Sequence, residues 1–307
     1  MADGAGPSRR GVRARPSLRL KPMAALNEIP FIKGHGTAND FVIVADLLGK
    51  RDLTAAEVRF LCDRHTGIGA DGVLRVVRTE HVPEFSKMAA SAEFFMDYRN
   101  ADGSIAQMCG NGARVFIRYL DAVGLITESD VVIATRAGLR ECKMNSDLSI
   151  TVDMGPATQP QTDAIPLVGI KDELWPAVAV LMPNPHAVTF VENLDDIGSL
   201  ETPPPVLPPT IFTDGVNVEF VVQRGPNHVA MRVHERGAGE TMSCGTGACA
   251  VAWAASERYP NMDLTANEGV RVDVPGGTVV VRMLANGHLT LTGPATLVAR
   301  GTVLLPA

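Results

Sequence analysis

Two cysteines of this chain stand in nearly the same sequence context. Cys109 begins the stretch Cys-Gly-Asn-Gly-Ala-Arg, Cys244 begins Cys-Gly-Thr-Gly-Ala-Cys, and an apolar run follows each of them. A Gly-x-Gly turn that opens a helix places the preceding residue at the helix N-terminus, among unpaired N–H groups and a partial positive charge. There the pKa of a thiol is expected to fall from about 8.5 into the range of about 3.5 to 7.5.

The same helix ends can also hold an anionic ligand. Backbone N–H groups at a helix N-terminus bind carboxylates, and glycines let a carboxylate approach the backbone closely. Two such motifs facing each other would place a thiolate on one side of a bound carbon atom and a thiol on the other. This pair suits removal of a proton α to a carboxylate from one face and delivery of a proton from the other, which inverts the stereocentre.

The cysteines also allow three other interpretations: buried hydrophobic residues, zinc ligands and a disulfide. Free cysteines are most often small buried hydrophobic residues, and this interpretation fits Cys62, Cys142 and Cys249, which lack the glycine context. Cys244 and Cys249 lie five positions apart with no CxxC pair or histidine cluster nearby, so we expect no zinc site. A disulfide between Cys109 and Cys244 stays open, more as oxidative damage than as function.

A literal GxGxxG pattern occurs at residues 67–72. A dinucleotide-binding fingerprint needs a strand before the glycines and a helix after them. Here a helical pattern precedes the glycines and the strand pattern Val73–Val77 follows them, so the order is reversed. The sequence therefore does not predict nucleotide binding.

The elements that position the two cysteines are themselves repeated. Gly-Pro-Ala-Thr occurs at 155–158 and again at 293–296, and a hairpin pattern precedes each copy, with turns at 145–147 and 285–287. A weaker pair is formed by the segments 100–103 and 236–239, before each cysteine. Because the pairs occur in one order at nearly equal spacing, we predict two homologous halves, each mostly strands with one helix after its cysteine.

The helices and strands follow from the apolar patterns. Val115–Leu120 predicts a helix that ends near Gly124, and Ala248–Ala255 is apolar on every side, which predicts a helix buried at the centre of a barrel. A surface helix is predicted at Ala55–Leu61, and a loop over the proline-rich residues 202–210. Strands are predicted at Phe41–Val44, Val73–Val77, Val131–Ile133, Asn217–Val222 and Val270–Val274.

Composition limits the class of protein. The chain has 307 residues, of which 46% are hydrophobic and 20% charged, as expected for a globular protein with a sizeable core. The five cysteines are an odd, widely spaced set, which indicates a reducing, cytoplasmic location. Residues 1–22 carry six basic residues and one acid, whereas acids exceed bases in the remainder, which argues against nucleic acid as a partner. No apolar run approaches the roughly 20 residues of a membrane span.

Eight motifs follow one another from about residue 30 to about residue 300: Gly36-Thr-Ala-Asn-Asp-Phe41, Gly67-Ile-Gly-Ala-Asp-Gly72, Asn100-Ala-Asp-Gly-Ser104, Met108-Cys-Gly-Asn-Gly-Ala-Arg114, Asn184-Pro-His-Ala-Val188, Asn217-Val-Glu-Phe220, Glu235-Arg-Gly-Ala-Gly-Glu-Thr241 and Cys244-Gly-Thr-Gly-Ala248. In this order they resemble one family, the diaminopimelate epimerases. The pair of Cys-Gly-Asn-Gly-Ala-Arg and Glu-Arg-Gly-Ala-Gly-Glu-Thr is specific to that family, whereas related proline racemases typically carry His at the place of Asn111.

The resemblance implies an α/β (α+β) fold and an activity. It implies two homologous, pseudo-symmetric barrel-like domains, each a mostly antiparallel sheet around a central helix, with the active site in the cleft between them. We expect a disordered basic extension at 1–27, an N-terminal half at 28–153 completed by about 293–307, and a C-terminal half at 154–292. The implied reaction is epimerisation of LL-2,6-diaminopimelate to the meso form, without pyridoxal phosphate or metal, by a homodimer.

The resemblance also implies a role for each site residue. Cys109 and Cys244 are the acid–base pair, and His186 and Glu235 tune their thiols. Glu235 also pairs with a substrate ammonium group, and Arg236 binds the distal carboxylate. The main-chain N–H groups expected to bind the reacting carboxylate belong to Gly110, Asn111, Gly245 and Thr246, and the further polar contacts to Asn39, Asn100, Asn184 and Asn217.

This sequence departs from the family pattern at two places. Gly72 stands where many relatives have a glutamine that contacts substrate, and Thr37-Ala38 stands where Leu-Gly is common. The departures affect substrate contacts and leave the thiols and Arg236 in place. Two other hypotheses stay open at this point: another racemase of the same fold, such as a proline racemase, and a thiol redox or binding protein on the same scaffold.

Overall fold

The computed structural model describes residues 27–306 together with Met1. Over residues 27–306 the chain forms eighteen strands and three α-helices. The strands β1 to β18 are Glu28–Gly36, Asn39–Ala45, Gly72–Arg78, Phe94–Asn100, Asp130–Thr135, Gly138–Met144, Ile150–Pro156, Leu167–Ile170, Glu173–Leu181, Pro185–Phe190, Val206–Leu207, Asn217–Gly225, His228–Glu235, Gly239–Glu240, Val270–Val274, Gly277–Met283, His288–Gly293 and Thr296–Leu304. The helices α1 to α3 are Ala55–Cys62, Gly110–Ala122 and Gly245–Arg258, with shorter 3-10 helices at Thr79–His81, Pro83–Ala90 and Leu194–Ile197.

Two halves of the sheet repeat one order of strand directions. In the first half the neighbours run β1, β2, β3, β4, β5, β6, β7; in the second they run β9, β10, β12, β13, β15, β16, β17. Successive pairs are antiparallel, parallel, antiparallel, parallel, antiparallel and antiparallel in both halves. The repeat confirms the predicted fold class, a mixed α/β protein of two like halves that is mostly sheet.

The helices α2 and α3 occupy equivalent places in the two halves. Parallel neighbours need a crossover connection, and α2 supplies it between β4 and β5 as α3 does between β13 and β15. Within the apolar stretch 248–255 of α3 only Trp253 is more than slightly exposed, so the prediction of a buried helix is confirmed. One hydrophobic core contains residues of both helices, such as Phe116 and Val251, and Leu291 of β17.

Strand pairing also joins the two halves. Antiparallel pairing of β7 with β17 connects them, and the hydroxyls of Thr151 and Thr292 lie 2.8 Å apart across this junction. The final strand, β18, returns to pair with β1 of the first half. The exact division of the chain at about residue 153 stays a prediction. The predicted basic extension at 1–27 lies outside the described residues, apart from Met1 and Asn27.

Local signals explain most of the element boundaries. Thr54 caps α1, and its backbone N–H and hydroxyl both bond to Glu57, three residues on, as in a capping box. Both predicted hairpin turns, at 145–147 and 285–287, are observed. The expectation of a loop throughout 202–210 is wrong in one detail, because Val206–Leu207 pair with β8. The two residues between the prolines keep the N–H groups that a strand pairing needs.

In the described part of the chain none of the helices combines the length and hydropathy of a membrane span.

Candidate active site

Each of the twin cysteines is the N-cap of a buried helix. Cys109 has extended backbone angles (φ −143°, ψ 121°) and precedes α2, and its sulfur accepts a hydrogen bond from the N–H of Gly112 at 3.3 Å. Cys244 (φ −114°, ψ 116°) precedes α3, and its sulfur accepts from the N–H of Gly247 at the same distance of 3.3 Å. The two thiols therefore have one local geometry, as their common sequence pattern indicates.

The two helix N-termini meet each other. A Cβ atom placed on Gly245 would lie 3.5 Å from the Cα of Gly110 and 3.6 Å from the backbone N of Asn111. A Cβ at this position would thus be in van der Waals contact with α2, so the two helix ends lie directly against each other. The backbone groups of Gly110, Asn111, Gly245 and Thr246 thus lie in the first turns of two abutting helices, which is the arrangement that an anion cradle between them requires.

A hydrogen-bond network links the two cysteine loops across the halves. The amide of Asn111 donates to the carbonyl oxygen of Ser243 at 3.0 Å and lies 3.2 Å from its hydroxyl, and the hydroxyls of Ser243 and Thr37 are 2.7 Å apart. The guanidinium of Arg114 donates to the Thr37 hydroxyl at 3.1 Å. Thr37 lies in the left-handed region with φ of 51°, where a threonine is strained. Thr37 stands where this sequence departs from the family pattern, and its hydroxyl therefore links the two halves of the chain.

Polar side chains of the first half surround Cys109. The Cys109 thiol lies 3.8 Å from Oδ1 of Asn39, and the Asn111 amide donates to the same oxygen at 3.3 Å. Asn39 is held in turn, because its own amide donates to Asp71 at 2.8 Å. Asn100 lies on the same face of the sheet, and its amide donates to the hydroxyl of Ser104 at 3.0 Å.

The space over Gly72 is filled by an aromatic ring. A Cβ atom on Gly72 would lie 2.6 Å from Cε2 of Tyr98 and 2.6 Å from the carbonyl oxygen of Arg99. A glutamine would not fit at this position without movement of the ring and of the β4 backbone. The structure therefore gives a physical reason for this departure from the family pattern.

Acidic side chains surround Cys244. The Glu235 carboxylate lies near Cys244, whose pKa it raises, and accepts a hydrogen bond from the hydroxyl of Thr241. The hydroxyl of Thr246 lies 3.5 Å from the Cys244 sulfur. Burial is the main cause that raises the pKa of Glu235, and the nearby carboxylate of Glu219 raises it further.

His186 is completely buried between two oxygen atoms. Its Nδ1 lies 2.6 Å from Oε1 of Glu219, and its Nε2 lies 3.1 Å from Oδ1 of Asn184. Asn217 lies opposite His186 in the parallel pairing of β10 with β12. The amide of Asn217 donates to the Pro185 carbonyl at 3.0 Å, and its Oδ1 accepts from the backbone N–H of Arg236 at 2.9 Å.

The side chain of Arg236 is apart from this group of residues. It is exposed, and its guanidinium donates to the carbonyl oxygen of Asp214 at 2.9 Å. It borders a cavity of about 340 Å³ whose lining includes four prolines of the segment 203–209, Phe212 and His234. The structure thus brings most of the sequence-predicted site residues together. The Arg236 side chain lies apart from them, against the segment that contains Asp214.

The prediction of lowered thiol pKa values is wrong. Burial raises the pKa of Cys109 to about 11 and the charge of Glu235 raises it as well, although the N–H of Gly112 and the charge of Arg114 act against this rise. Burial also raises the pKa of Cys244 well above its ordinary value, and Glu235 and Glu219 raise it further. The loss of hydration around a thiolate therefore outweighs the helix N-terminus in this structure.

Arg114 is a buried cation at the base of the site. Its side chain is 0% exposed, and burial lowers its pKa to about 10. Besides Thr37 it donates to the carbonyl oxygen of Pro294 at 3.3 Å, and its Nη1 atom has no hydrogen-bond partner among the described residues. The corresponding position of the second motif is Cys249.

Four residues of this site were missed or not given a role by sequence reasoning: Thr37, Arg114, Glu219 and Ser243. Two of them carry a recognisable signal. Glu219 interrupts the apolar strand segment 218–222, and Arg114 directly precedes the apolar run 115–117, so each is a charge beside positions that the pattern predicts to be buried. Thr37 and Ser243 carry no such signal, because small hydroxyl residues are common in turns.

Two thiols at abutting helix N-termini, with carboxylate, imidazole and amide groups near them, stand on a duplicated fold. Solved structures share this fold. A hydroxyproline epimerase from Agrobacterium vitis, with bound trans-4-hydroxy-L-proline, aligns with a TM-score of 0.61 at 16% identity over 90% of this chain and 92% of that chain. A Bacillus anthracis phenazine biosynthesis protein of the PhzF family aligns at 0.63 and 18% identity over 91% of this chain and all of that one (100%). At these identities the likeness shows the fold alone.

Among the proteins that share this fold, sequence comparison points to one family of isomerases. The sequence model of the diaminopimelate epimerase family matches residues 31–160 and 178–298. The diaminopimelate epimerase of Streptomyces coelicolor is 54% identical over 276 residues, covering 89% of this chain and 94% of that protein. Those of Thermobifida fusca and Corynebacterium glutamicum are 46% and 43% identical, each covering 90% of this chain and 98% of the relative. The chain belongs to the diaminopimelate epimerase family.

Proposed function

We propose that this isomerase converts LL-2,6-diaminopimelate to meso-diaminopimelate by a two-base mechanism in which Cys109 and Cys244 are the acid–base pair. The observation that carries the proposal is the meeting of two helix N-termini, each capped by one of these thiols. Inversion at a carbon atom needs proton removal on one face and proton delivery on the other. Two like groups on two facing loops supply both.

The chemical step is balanced by the two thiols. One cysteine, as thiolate, takes the proton from the α-carbon, and the electron pair of the C–H bond spreads onto the adjacent carboxylate. The N–H groups of Gly110, Asn111, Gly245 and Thr246 stabilise the charge that develops there. The other thiol delivers its proton to the opposite face, so the first cysteine ends as a thiol and the second as a thiolate.

Substrate binding brings a positive charge next to the thiols, which they lack in the free protein. The raised pKa of Cys109, about 11, keeps this thiol protonated at neutral pH in the free protein. The α-ammonium group of the substrate brings a positive charge next to the thiols and favours the thiolate. Glu235, whose charge acts on Cys244, exchanges a proton with that thiol in the proposed reaction.

The remaining polar residues select the substrate. Asn39, Asn100, Asn184 and Asn217 provide amide groups that bind ammonium and carboxylate groups alike without adding charge. Arg236 binds the distal carboxylate with the guanidinium nitrogens that the Asp214 carbonyl does not occupy. Glu235 and His186 complete the contacts near the thiols. The reaction as proposed uses these side chains and no cofactor.

We further propose that the protein acts in the cytoplasm, in the supply of meso-diaminopimelate for lysine and peptidoglycan synthesis, and that it is a homodimer. Support for the dimer comes from β18, which pairs with β1 along one edge and exposes Val298 and Leu304. An exposed nine-residue edge strand with apolar side chains favours association with a second copy. Light scattering on the purified protein tests this state directly.

The test of the proposed reaction is proton exchange followed by NMR. The reduced protein is incubated in D2O with meso-diaminopimelate, and in parallel with L-proline as the control for a racemase of the same fold. We expect the α-proton signal of diaminopimelate to disappear while that of proline persists. Loss of the proline signal alone would assign a proline-type reaction, and no exchange with either would contradict catalysis of this kind.

A further inference from the structure

The turn between β1 and β2 is strained at two consecutive residues. Gly36 pairs with Asn39 across this hairpin, and the two residues between them, Thr37 and Ala38, lie in the left-handed region with φ of 51° and 62°. A two-residue turn with two positive φ angles favours Asn-Gly, because glycine and asparagine adopt these angles at low cost. Threonine and alanine do not, so the turn needs a reason beyond its own conformation.

The hydroxyl of Thr37 reaches from the first half of the chain to the second. It lies 2.7 Å from the hydroxyl of Ser243, the residue directly before Cys244, and the two residues are 2% and 3% exposed. The guanidinium of Arg114 can only donate, so the Thr37 hydroxyl accepts from it at 3.1 Å and keeps its own proton for Ser243. The hydrogen bonds therefore run from α2, the helix that Cys109 caps, through Thr37 to the Cys244 loop.

The backbone of the same turn supports the second cysteine loop by another route. A Cβ atom on Gly276 would lie 1.9 Å from the carbonyl oxygen of Thr37 and 2.9 Å from Cβ of Ala38, so the turn packs directly against the Gly276 backbone. The N–H of Gly276 in turn donates to the carbonyl oxygen of Met242 at 2.8 Å. Each of the two routes thus holds one of the two residues that precede the second cysteine, Met242 and Ser243.

We propose that Thr37 is a positioning residue that sets the place of Cys244 relative to Cys109, acting through Ser243 on one side and Arg114 on the other. Inversion requires both thiols to act on one carbon atom, so a small displacement of either loop lowers the rate even when both thiols are intact. The strained turn keeps the hydroxyl at the point where the two loops meet. The consequence for catalysis rests on the proposed two-base function, whereas the hydrogen-bond link is testable without it.

The first test measures the link between the two hydroxyls without substrate. T37V replaces the hydroxyl by a methyl group of similar size, S243A removes its partner, and urea unfolding is measured for both single variants and the double variant. Because either single change already breaks the link, the double variant should lose less stability than the two losses combined, by about twofold to tenfold in the unfolding equilibrium constant. Additive losses would overturn the proposal.

The second test measures the reaction in both directions, from LL- and from meso-diaminopimelate. T37V should lower kcat by about 10- to 100-fold and change KM little, because Thr37 acts on the placing of the thiols. T37S keeps the hydroxyl and should restore kcat. S243A breaks the same contact from the other side and should resemble T37V, so it serves in its place if T37V does not fold. Unchanged kcat in S243A would contradict the proposal.

Proton exchange in D2O gives the measurement that a loss of folded protein does not imitate. In the direction in which Cys244 delivers the proton, a displaced Cys244 lengthens the life of the carbanion. Cys109 then has time to exchange its captured proton with solvent and to return a deuteron to the original face. Substrate recovered from T37V or S243A should therefore carry deuterium in this direction and less in the reverse one. A lower kcat without deuterium in the recovered substrate would overturn the proposal.

A matched control joins the halves at another place. The hydroxyls of Thr151 and Thr292 lie 2.8 Å apart between β7 and β17. T292V removes one of them in the same way and is expected to leave kcat and the deuterium content of recovered substrate unchanged. Deuterium in substrate recovered from T292V would overturn the assignment to Thr37. If the unaltered protein shows neither exchange nor inversion, the proposed function fails, and the unfolding measurements still decide the link to Ser243.

Discussion

The two cysteine loops have the same backbone geometry and different electrostatic surroundings. Both sulfurs cap a buried helix and accept an N–H from the third residue on, at 3.3 Å in each loop. The carboxylate of Glu235 raises the pKa of both thiols, whereas the buried cation of Arg114 lowers that of Cys109 and the carboxylate of Glu219 raises that of Cys244 further. Five positions after each cysteine, the first motif has Arg114 and the second has Cys249.

This difference shows how a duplicated fold can give two like thiols unequal pKa values. The repeat of strand directions places two thiols at equivalent positions, and the neighbours then set which thiol ionises more readily. Glu235 opposes the thiolate at both positions, so the difference comes from Arg114, which favours the thiolate of Cys109, and from Glu219, which opposes that of Cys244. In the free protein we therefore expect Cys109 to be the readier base and Cys244 the readier acid.

The largest effect is expected from removing either thiol. C109S and C244S should each lower kcat by about 10² to 10⁴-fold, the usual contribution of an acid–base group. Serine is a favoured N-cap, so the helices should stay capped and the fold intact. The variants are assayed by formation of meso-diaminopimelate from the LL form, with C142S as the control for a buried thiol outside the site. Full activity in either variant would show that the replaced thiol is not an acid–base group of the reaction.

A smaller effect is expected from removing the cation behind Cys109. R114M keeps a long apolar side chain and should raise the pKa of Cys109, with a loss in kcat of about tenfold per unit of that rise. The pH dependence of alkylation of Cys109, read by peptide mass spectrometry, measures the rise. C249A, at the matching position of the second motif, should leave it unchanged. An identical alkylation profile in R114M and the unaltered protein would show that Arg114 does not distinguish the two loops.

The comparison also predicts unequal reactivity in the unaltered protein. At about pH 8, iodoacetamide should modify Cys109 faster than Cys244, by about tenfold for each unit that separates their pKa values. The half-buried Cys109 is also more accessible than Cys244, which is 4% exposed. Rates are followed by digestion and mass spectrometry at short times. Faster modification of Cys244 would reverse the proposed order of the two thiols.

The smallest effect concerns stability at high pH. Burial holds the folded pKa of Cys109 at about 11, above the ordinary value of 9.0. Between about pH 9 and 11 the unfolded chain releases a proton that the folded chain keeps, so the free energy of unfolding falls as pH rises, by up to about 1.4 kcal/mol per pH unit for this thiol. Urea unfolding of C109S should therefore show a shallower decline than the unaltered protein. Equal slopes would contradict the burial of this thiol's proton.

The parts that sequence reasoning could predict depend on local patterns. The Gly-x-Gly turns predict cysteine caps, the apolar stretch 248–255 predicts a buried helix, and the hairpin turns follow from Asn and Gly at known positions. The parts it missed depend on which distant segments meet. Glu219 touches His186 because β12 pairs with β10, and the raised thiol pKa values follow from burial between two halves. Neither is encoded within a single window of sequence.

The measurement that tests the two-base account most directly is the position of deuterium after partial conversion in D2O. LL-diaminopimelate is incubated with the protein to low conversion, and substrate and product are separated and examined by NMR and mass spectrometry. Two bases predict that the product carries deuterium at the inverted carbon, while recovered substrate keeps its α-proton. Product that retains the original proton, or substrate that gains deuterium before inversion, would indicate one base and contradict the account.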